Sequence, residues 1–132
     1  PESGLVFISV NNEDKFKIIS IAGAFKELGF NIVATEGTAK ELTKNGMVVE
    51  TVYKVGEGRP NIVDRIKNNE IDLVINTPLG AQSRYDEEAI GKACIQKSIM
   101  ATTTLSAADA VLYAIRTKNK IAVKSIQEYH SN

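Results

Sequence analysis

A chain of 132 residues is long enough to bury one hydrophobic core and falls within the usual size of one domain. Sixteen Lys and Arg residues balance sixteen Asp and Glu, so no basic field invites nucleic acid and no polybasic run invites an anionic membrane. One cysteine and one histidine exclude an internal disulfide and the usual zinc ligand sets; with neither a secretory signal nor an apolar run of spanning length in view, a reducing, cytoplasmic setting is expected.

The opening Pro1-Glu2-Ser3 carries no initiator methionine and reads as the edge of a piece cut from something larger, or of a processed product. Leu5–Val10 is a compact run of branched apolar residues bounded by Gly4 and Asn11-Asn12, the pattern of a buried strand. Asn11–Asp14 supplies capping amides and first-turn acids, and Ile18, Ile21, Ala22, Phe25 and Leu28 then recur at helical spacing until Gly29 stops the helix. Asn31–Ala34 makes a second strand. Thr38-Ala39-Lys40-Glu41 reads as a capping box that opens a helix from Ala39 to about Asn45.

Met47–Tyr53 is a third strand, followed by the polar loop Lys54–Arg59. Pro60 takes the first position of a third helix, whose buried face is Ile62, Val63 and Ile66. Ile71–Ile75 is a fourth strand and runs into the turn Asn76-Thr77-Pro78-Leu79-Gly80. A fourth helix spans Arg84–Lys97, with Ser83 as its cap and Ile90, Ala93 and Cys94 inward, so Cys94 is read as core packing rather than as a nucleophile. Ile99–Thr102 is a fifth strand and Ser106–Arg116 a fifth helix. The tail Ile121–Tyr129 keeps an apolar spacing and is predicted to dock back.

Five alternations of strand and helix with short links imply a parallel sheet and right-handed crossovers. The expected fold is a single Rossmann-like three-layer α/β sandwich, with strand order 3-2-1-4-5 and helices on both faces. Such sheets bind ligands beyond the carboxyl ends of their strands, beside the point where the order reverses. Four segments meet there: Asn11–Lys15, Thr35–Thr38, Lys54–Arg59 and Asn76-Thr77. They bring two lysines, an arginine, threonine hydroxyls and two helix N-termini to one rim, the donor set that a phosphate needs. Thr35-Glu36-Gly37-Thr38 has two readings, a helix cap and an anion cradle in which Gly37 lets the backbone come close. Lys15 is expected in the first turn of the first helix, where a cation opposes the dipole; it reads either as the partner of an external anion or as a solvated lysine paired with Glu13 or Asp14, and Lys54 has the same alternative as a surface charge. Other motifs fail. Gly56-Glu57-Gly58 lacks the last glycine of a dinucleotide fingerprint, no phosphate-binding glycine-lysine-hydroxyl run exists, and no serine has a histidine near the rim, His130 lying in the tail.

The ordered pieces Ser9-Val10 with Asp14-Lys15, Ala34–Ala39, Lys54-Val55 with Glu57-Gly58-Arg59-Pro60, Asp64–Lys67, Ile75–Pro78 and Thr102–Leu105 resemble the methylglyoxal synthase-like domain family over nearly the whole chain. Glu57–Pro60, Asn76–Pro78 and the ending Ser125–His130 are similar to one branch of it, the C-terminal regulatory domain of carbamoyl-phosphate synthase large subunits. The resemblance implies a non-catalytic domain that binds UMP, or in some members IMP, and regulates the ATP- and Mg-dependent synthetase domains of the same subunit. The holoenzyme would include a small glutaminase subunit, serve pyrimidine and arginine biosynthesis, and make oligomer contacts. Carried over by position, Lys15, Thr35, Gly37, Thr38 and Lys54 hold the phosphate, and Asn76, Thr77 and Arg59 lie on the ribose and base side. No cofactor or metal is expected in this domain.

A lyase acting on dihydroxyacetone phosphate is the rival. Where that enzyme carries a catalytic aspartate after a glycine pair, this chain reads Gly58-Arg59-Pro60, and where it places an aspartate and a histidine, Thr77 and Arg84 stand. Ala81 and Gly91-Lys92 replace arginines common in the regulatory branch, which leaves the recognised base open. A domain with an empty pocket that serves only oligomer contact is the third reading.

Overall fold

The computed structural model of the chain describes residues 4–78 and 84–130, the side chains of Arg84 and of residues 119–130 excepted. Five parallel strands, β1 (Gly4–Ser9), β2 (Phe30–Ala34), β3 (Glu50–Thr51), β4 (Leu73–Asn76) and β5 (Met100–Thr102), form one sheet in the order β3-β2-β1-β4-β5. Between and after them run α1 (Ile18–Glu27), α2 (Glu36–Lys44), α3 (Ile62–Lys67), α4 (Arg84–Gln96) and α5 (Leu105–His130). The order reverses at β1, which pairs with β2 on one side and β4 on the other.

The pleat of β1 explains the layers. Val6 and Ile8 turn to one face and pack with Ile18, Ala22 and Phe25 of α1, Leu42 of α2, and Ala108 and Leu112 of α5. Phe7 turns to the other and packs with Ile62 and Ile66 of α3 and Ile90, Ala93 and Cys94 of α4. Both faces being covered, the central strands read as continuous apolar runs rather than as alternating ones. Cys94 is buried, and that burial pushes its thiol up to about 11, as an inert core residue requires. Gly29 takes the left-handed conformation (φ 99°) just after the C-cap Leu28, where it ends α1 as its position implied.

Several boundaries differ from the expected ones, each for a local reason. α2 starts at Glu36 with Thr35 as its N-cap, because the Ala39 N–H closes on the Thr35 carbonyl at 2.8 Å. Thr38 is therefore the third helical residue, and the Thr38–Glu41 capping box does not form. Its hydroxyl instead accepts the N–H of Val10 at 3.2 Å, a bond across the sheet rim. The Asn11 cap serves a separate 3-10 turn over Asn12–Asp14, and α1 begins only at Ile18, so Lys15 is outside the first turn of α1. β3 is only two residues long, with Tyr53 and Asn61 forming an isolated bridge beyond it. Asn61, not Pro60, opens α3: Asn61 and Asp64 form a complete capping box. α5 absorbs the tail as one continuous helix to His130. The predicted cap Ser83, along with Leu79, Gly80 and Ala81, lies outside the described residues, as do the side chains of the tail that was expected to dock. Among the described residues no helix is long and apolar enough to cross a membrane.

Candidate functional site

Among the described residues, the buried polar ones, Ser9, Thr35, Thr38, Asn76, Thr77 and Thr102, lie at or just after the carboxyl ends of β1, β2, β4 and β5. Side chains of this kind stay buried only when hydrogen-bonded, and among the described residues no buried side-chain nitrogen or oxygen lacks a partner. Thr35 Oγ1 donates to Ser9 Oγ at 3.0 Å. Thr77 Oγ1 accepts the N–H of Asn11 at 2.9 Å, and the Thr77 N–H donates to the Ser9 carbonyl at 3.0 Å. The rim is thus a chain of hydrogen bonds that ties the ends of β1, β2 and β4 to the residue that caps the 3-10 turn.

One consequence concerns α2. Thr35 sits at the N-cap but makes no side-chain cap bond, since its hydroxyl is turned to Ser9. The first-turn N–H groups of Glu36, Gly37 and Thr38 are left for an outside acceptor, with the positive end of the helix dipole behind them. Lys15 closes over that end. Its Nζ lies 2.9 Å from where a Cβ on Gly37 would stand, so an ammonium occupies the space that only glycine leaves open. Nζ donates to Asn12 Oδ1 at 2.8 Å and makes no ion pair among the described residues. The cation expected to oppose the dipole of the first helix opposes that of the second. A cation and a helix N-terminus repel each other, and an anion between them removes the conflict.

Beside this end opens a small cleft lined by Phe7, Ser9, Thr35, Lys54, Asn76 and Asp86, among others. Its enclosed space is about 10 Å³, room for about one water. Lys54 and Asn76 thus stand with Thr35 at one cleft. Asp86 and Glu87, in the first turn of α4, had not been singled out. Burial holds the Asp86 carboxyl above the usual carboxylate range, against the pull of Lys54 and with Glu57 and Glu87 adding to the rise. The available signal was their place in a first helical turn after a strand, where acids favour the dipole and face the same rim. Asn12 was also missed. Its three-residue spacing from Lys15 in a tight turn was the only hint.

Two expected residues do not line this cleft. Thr77, bonded to Ser9 at the rim, lines a broader groove with Asp14, Phe16, Thr104 and Asp109. Arg59 does not line the cleft: its exposed guanidinium forks onto Asp64, Nη2 to Oδ1 at 2.7 Å and Nε to Oδ2 at 3.1 Å.

Residues 17–103 match the family model described as MGS-like domain. The chain belongs to the MGS-like domain family. Across 99% of its length it is 48% identical to the carbamoyl phosphate synthase large chain of Acidobacterium capsulatum, of which it covers 12%. It is 46% identical, again over 99% of its length, to the C-terminal section of the Aquifex aeolicus large chain, covering 26% of that protein. The chain therefore spans about an eighth to a quarter of these relatives. Its fold is that of methylglyoxal synthase from Elizabethkingia anophelis: TM-score 0.67 at 20% identity, covering 85% of this chain and 78% of that one. The parallel order β3-β2-β1-β4-β5 puts the carboxyl ends of β1, β2 and β4 side by side in this chain.

Proposed function

We propose that this chain is a non-catalytic regulatory domain of a carbamoyl phosphate synthase large chain and binds a nucleoside monophosphate, UMP or IMP, through its phosphate. The observation that carries this reading is the Lys15 ammonium held at Gly37 over the open end of α2. A phosphate there accepts the N–H groups of the first turn and bonds to Lys15, while Lys54 approaches from the cleft side. Thr38 contributes a proton, since its oxygen already accepts from Val10 and its own hydrogen is unclaimed by that bond. Thr35 acts through Ser9.

Because the cleft itself admits about one water, the nucleoside extends outward over the rim, towards Asn76 and Asp86. The cleft is polarised in the matching sense. Thr35 at the start of α2, with the positive end of that helix dipole, and Lys54 favour phosphate charge, and Asp86 and Glu87 in the first turn of α4 can accept from sugar hydroxyls. Arg59 pairs with Asp64 at the surface and does not line the cleft. The ligase chemistry of the parent, with ATP and Mg, belongs to synthetase domains outside this chain. A nucleotide can influence them only by its difference in affinity between two conformations of the subunit.

Calorimetry of the chain with UMP and with IMP tests the reading. Binding of either at the rim supports it, and silence towards both overturns it. The lyase reading has one observation in its favour, a carboxylate in the cleft with a raised protonation range, as a general base would need. Release of methylglyoxal and phosphate from dihydroxyacetone phosphate would establish that reading. We expect none.

A further inference from the structure

The phosphate reading leaves one matter open: what keeps an unpaired ammonium over a helix end that repels it. Glu13 and Asp14 lie within two residues of Lys15 in the chain, yet Lys15 makes no ion pair with either. Its Nζ partner is the amide oxygen of Asn12, at 2.8 Å. Asn12 is itself placed by a rigid support. The 3-10 turn is closed by the Asp14 N–H on both the carbonyl of Asn11 (3.2 Å) and its side-chain oxygen (2.9 Å). The Asn11 N–H is anchored on Thr77 Oγ1 at the end of β4.

Resting on the reading that this rim takes a phosphate, we propose that Asn12 is a positioning residue for the anion: a neutral acceptor that fixes the Lys15 ammonium over Gly37 without neutralising it. A carboxylate at the same place would hold the lysine at least as well. It would also cancel the charge the anion needs and set a negative charge beside the phosphate. A residue without an acceptor would release a long side chain into many rotamers, and binding would then have to order it. An amide satisfies both conditions. Asn12 is exposed and supports no core contact, so its effect on affinity is separable from any effect on folding.

Calorimetric titration of the chain with UMP and with IMP tests this on Asn12→Ala, Asn12→Asp, Lys15→Ala and the double variant Asn12→Ala with Lys15→Ala, thermal melting being followed alongside. Asn12→Ala is expected to weaken binding about three- to tenfold, the scale of ordering one long side chain. Asn12→Asp should weaken it further, by roughly tenfold or more, through charge cancellation. In the Lys15→Ala background Asn12→Ala should change nothing, since it acts through that lysine. Three results overturn the assignment alone: wild-type binding that Asn12→Ala leaves intact, tighter binding by Asn12→Asp, or an equal loss from Asn12→Ala with and without Lys15. If the wild-type chain binds neither nucleotide, the phosphate reading falls, and this one with it.

Discussion

Two helices of this molecule follow β2 and β3 and pack on opposite faces of the sheet, and their first turns are finished in opposite ways. α3 is closed by its own chain: Asn61 Oδ1 accepts the Asp64 N–H at 3.1 Å, Asp64 Oδ2 accepts the Asn61 N–H at 2.8 Å, and Arg59 neutralises Asp64 from outside. α2 has a threonine in the same place but turns its hydroxyl to Ser9, leaving the first N–H groups open under a lysine. A helix end that its own sequence satisfies is a structural element. One whose capping hydroxyl is engaged elsewhere, with a cation brought across it, leaves its first N–H groups open to an outside acceptor.

The contrast can be broken or sharpened by substitution. The largest effect is expected at the open end. Lys15→Ala and Lys54→Ala should each weaken UMP or IMP binding by roughly 1.5–3 kcal/mol, or about 10- to 150-fold, the range for hydrogen bonds to charged groups, with little change in stability. Unchanged affinity by calorimetry removes that lysine from the site. At the closed end the effects should exchange places. Asn61→Ala should cost about 1 kcal/mol of stability in urea unfolding and leave nucleotide affinity as it was.

The closed end should also show in the acid limb of stability. Arg59, followed by the Asn61 N–H, holds the Asp64 carboxyl below its ordinary range. Its contribution is therefore fully present above the unfolded-state value of about 4 and lost as pH falls through the lower folded-state value. Asp64→Asn should make unfolding less dependent on pH in that window, and an identical acid limb would mean that the Arg59–Asp64 pair does not persist in solution. The smallest effect is expected at Gly37→Ala. The added Cβ meets only the flexible end of Lys15, so helix propensity should leave stability unchanged or raised by up to about 0.5 kcal/mol. Binding should nevertheless weaken, because the ammonium has to move. A variant with unaltered affinity would show that Lys15 reaches the anion by another route.

Much of the architecture was legible from periodicity. The apolar run around Val6–Ile8, the helical spacing from Ile18 to Phe25 and the short links carried the parallel sheet and its order, because both depend on which faces must be buried. Boundaries that depend on rim contacts were not legible. Thr38 followed by Glu41 has the spacing of a capping box, and only the Val10 N–H explains why the hydroxyl serves the neighbouring strand instead. Arg59, put on the ribose and base side by resemblance, is held by Asp64 five residues on, a pairing that residue type and spacing alone did not indicate.

By itself the sequence determined that the chain is an α/β sandwich with strand order 3-2-1-4-5, since burial patterns and strand order are written in local spacing. The tertiary structure alone decided which lysine faces which helix, that Asp86 joins the cleft, and that Asn12 holds Lys15. Those pairings arise between segments brought together by the sheet, where a tenth of a nanometre separates a hydrogen bond from no contact.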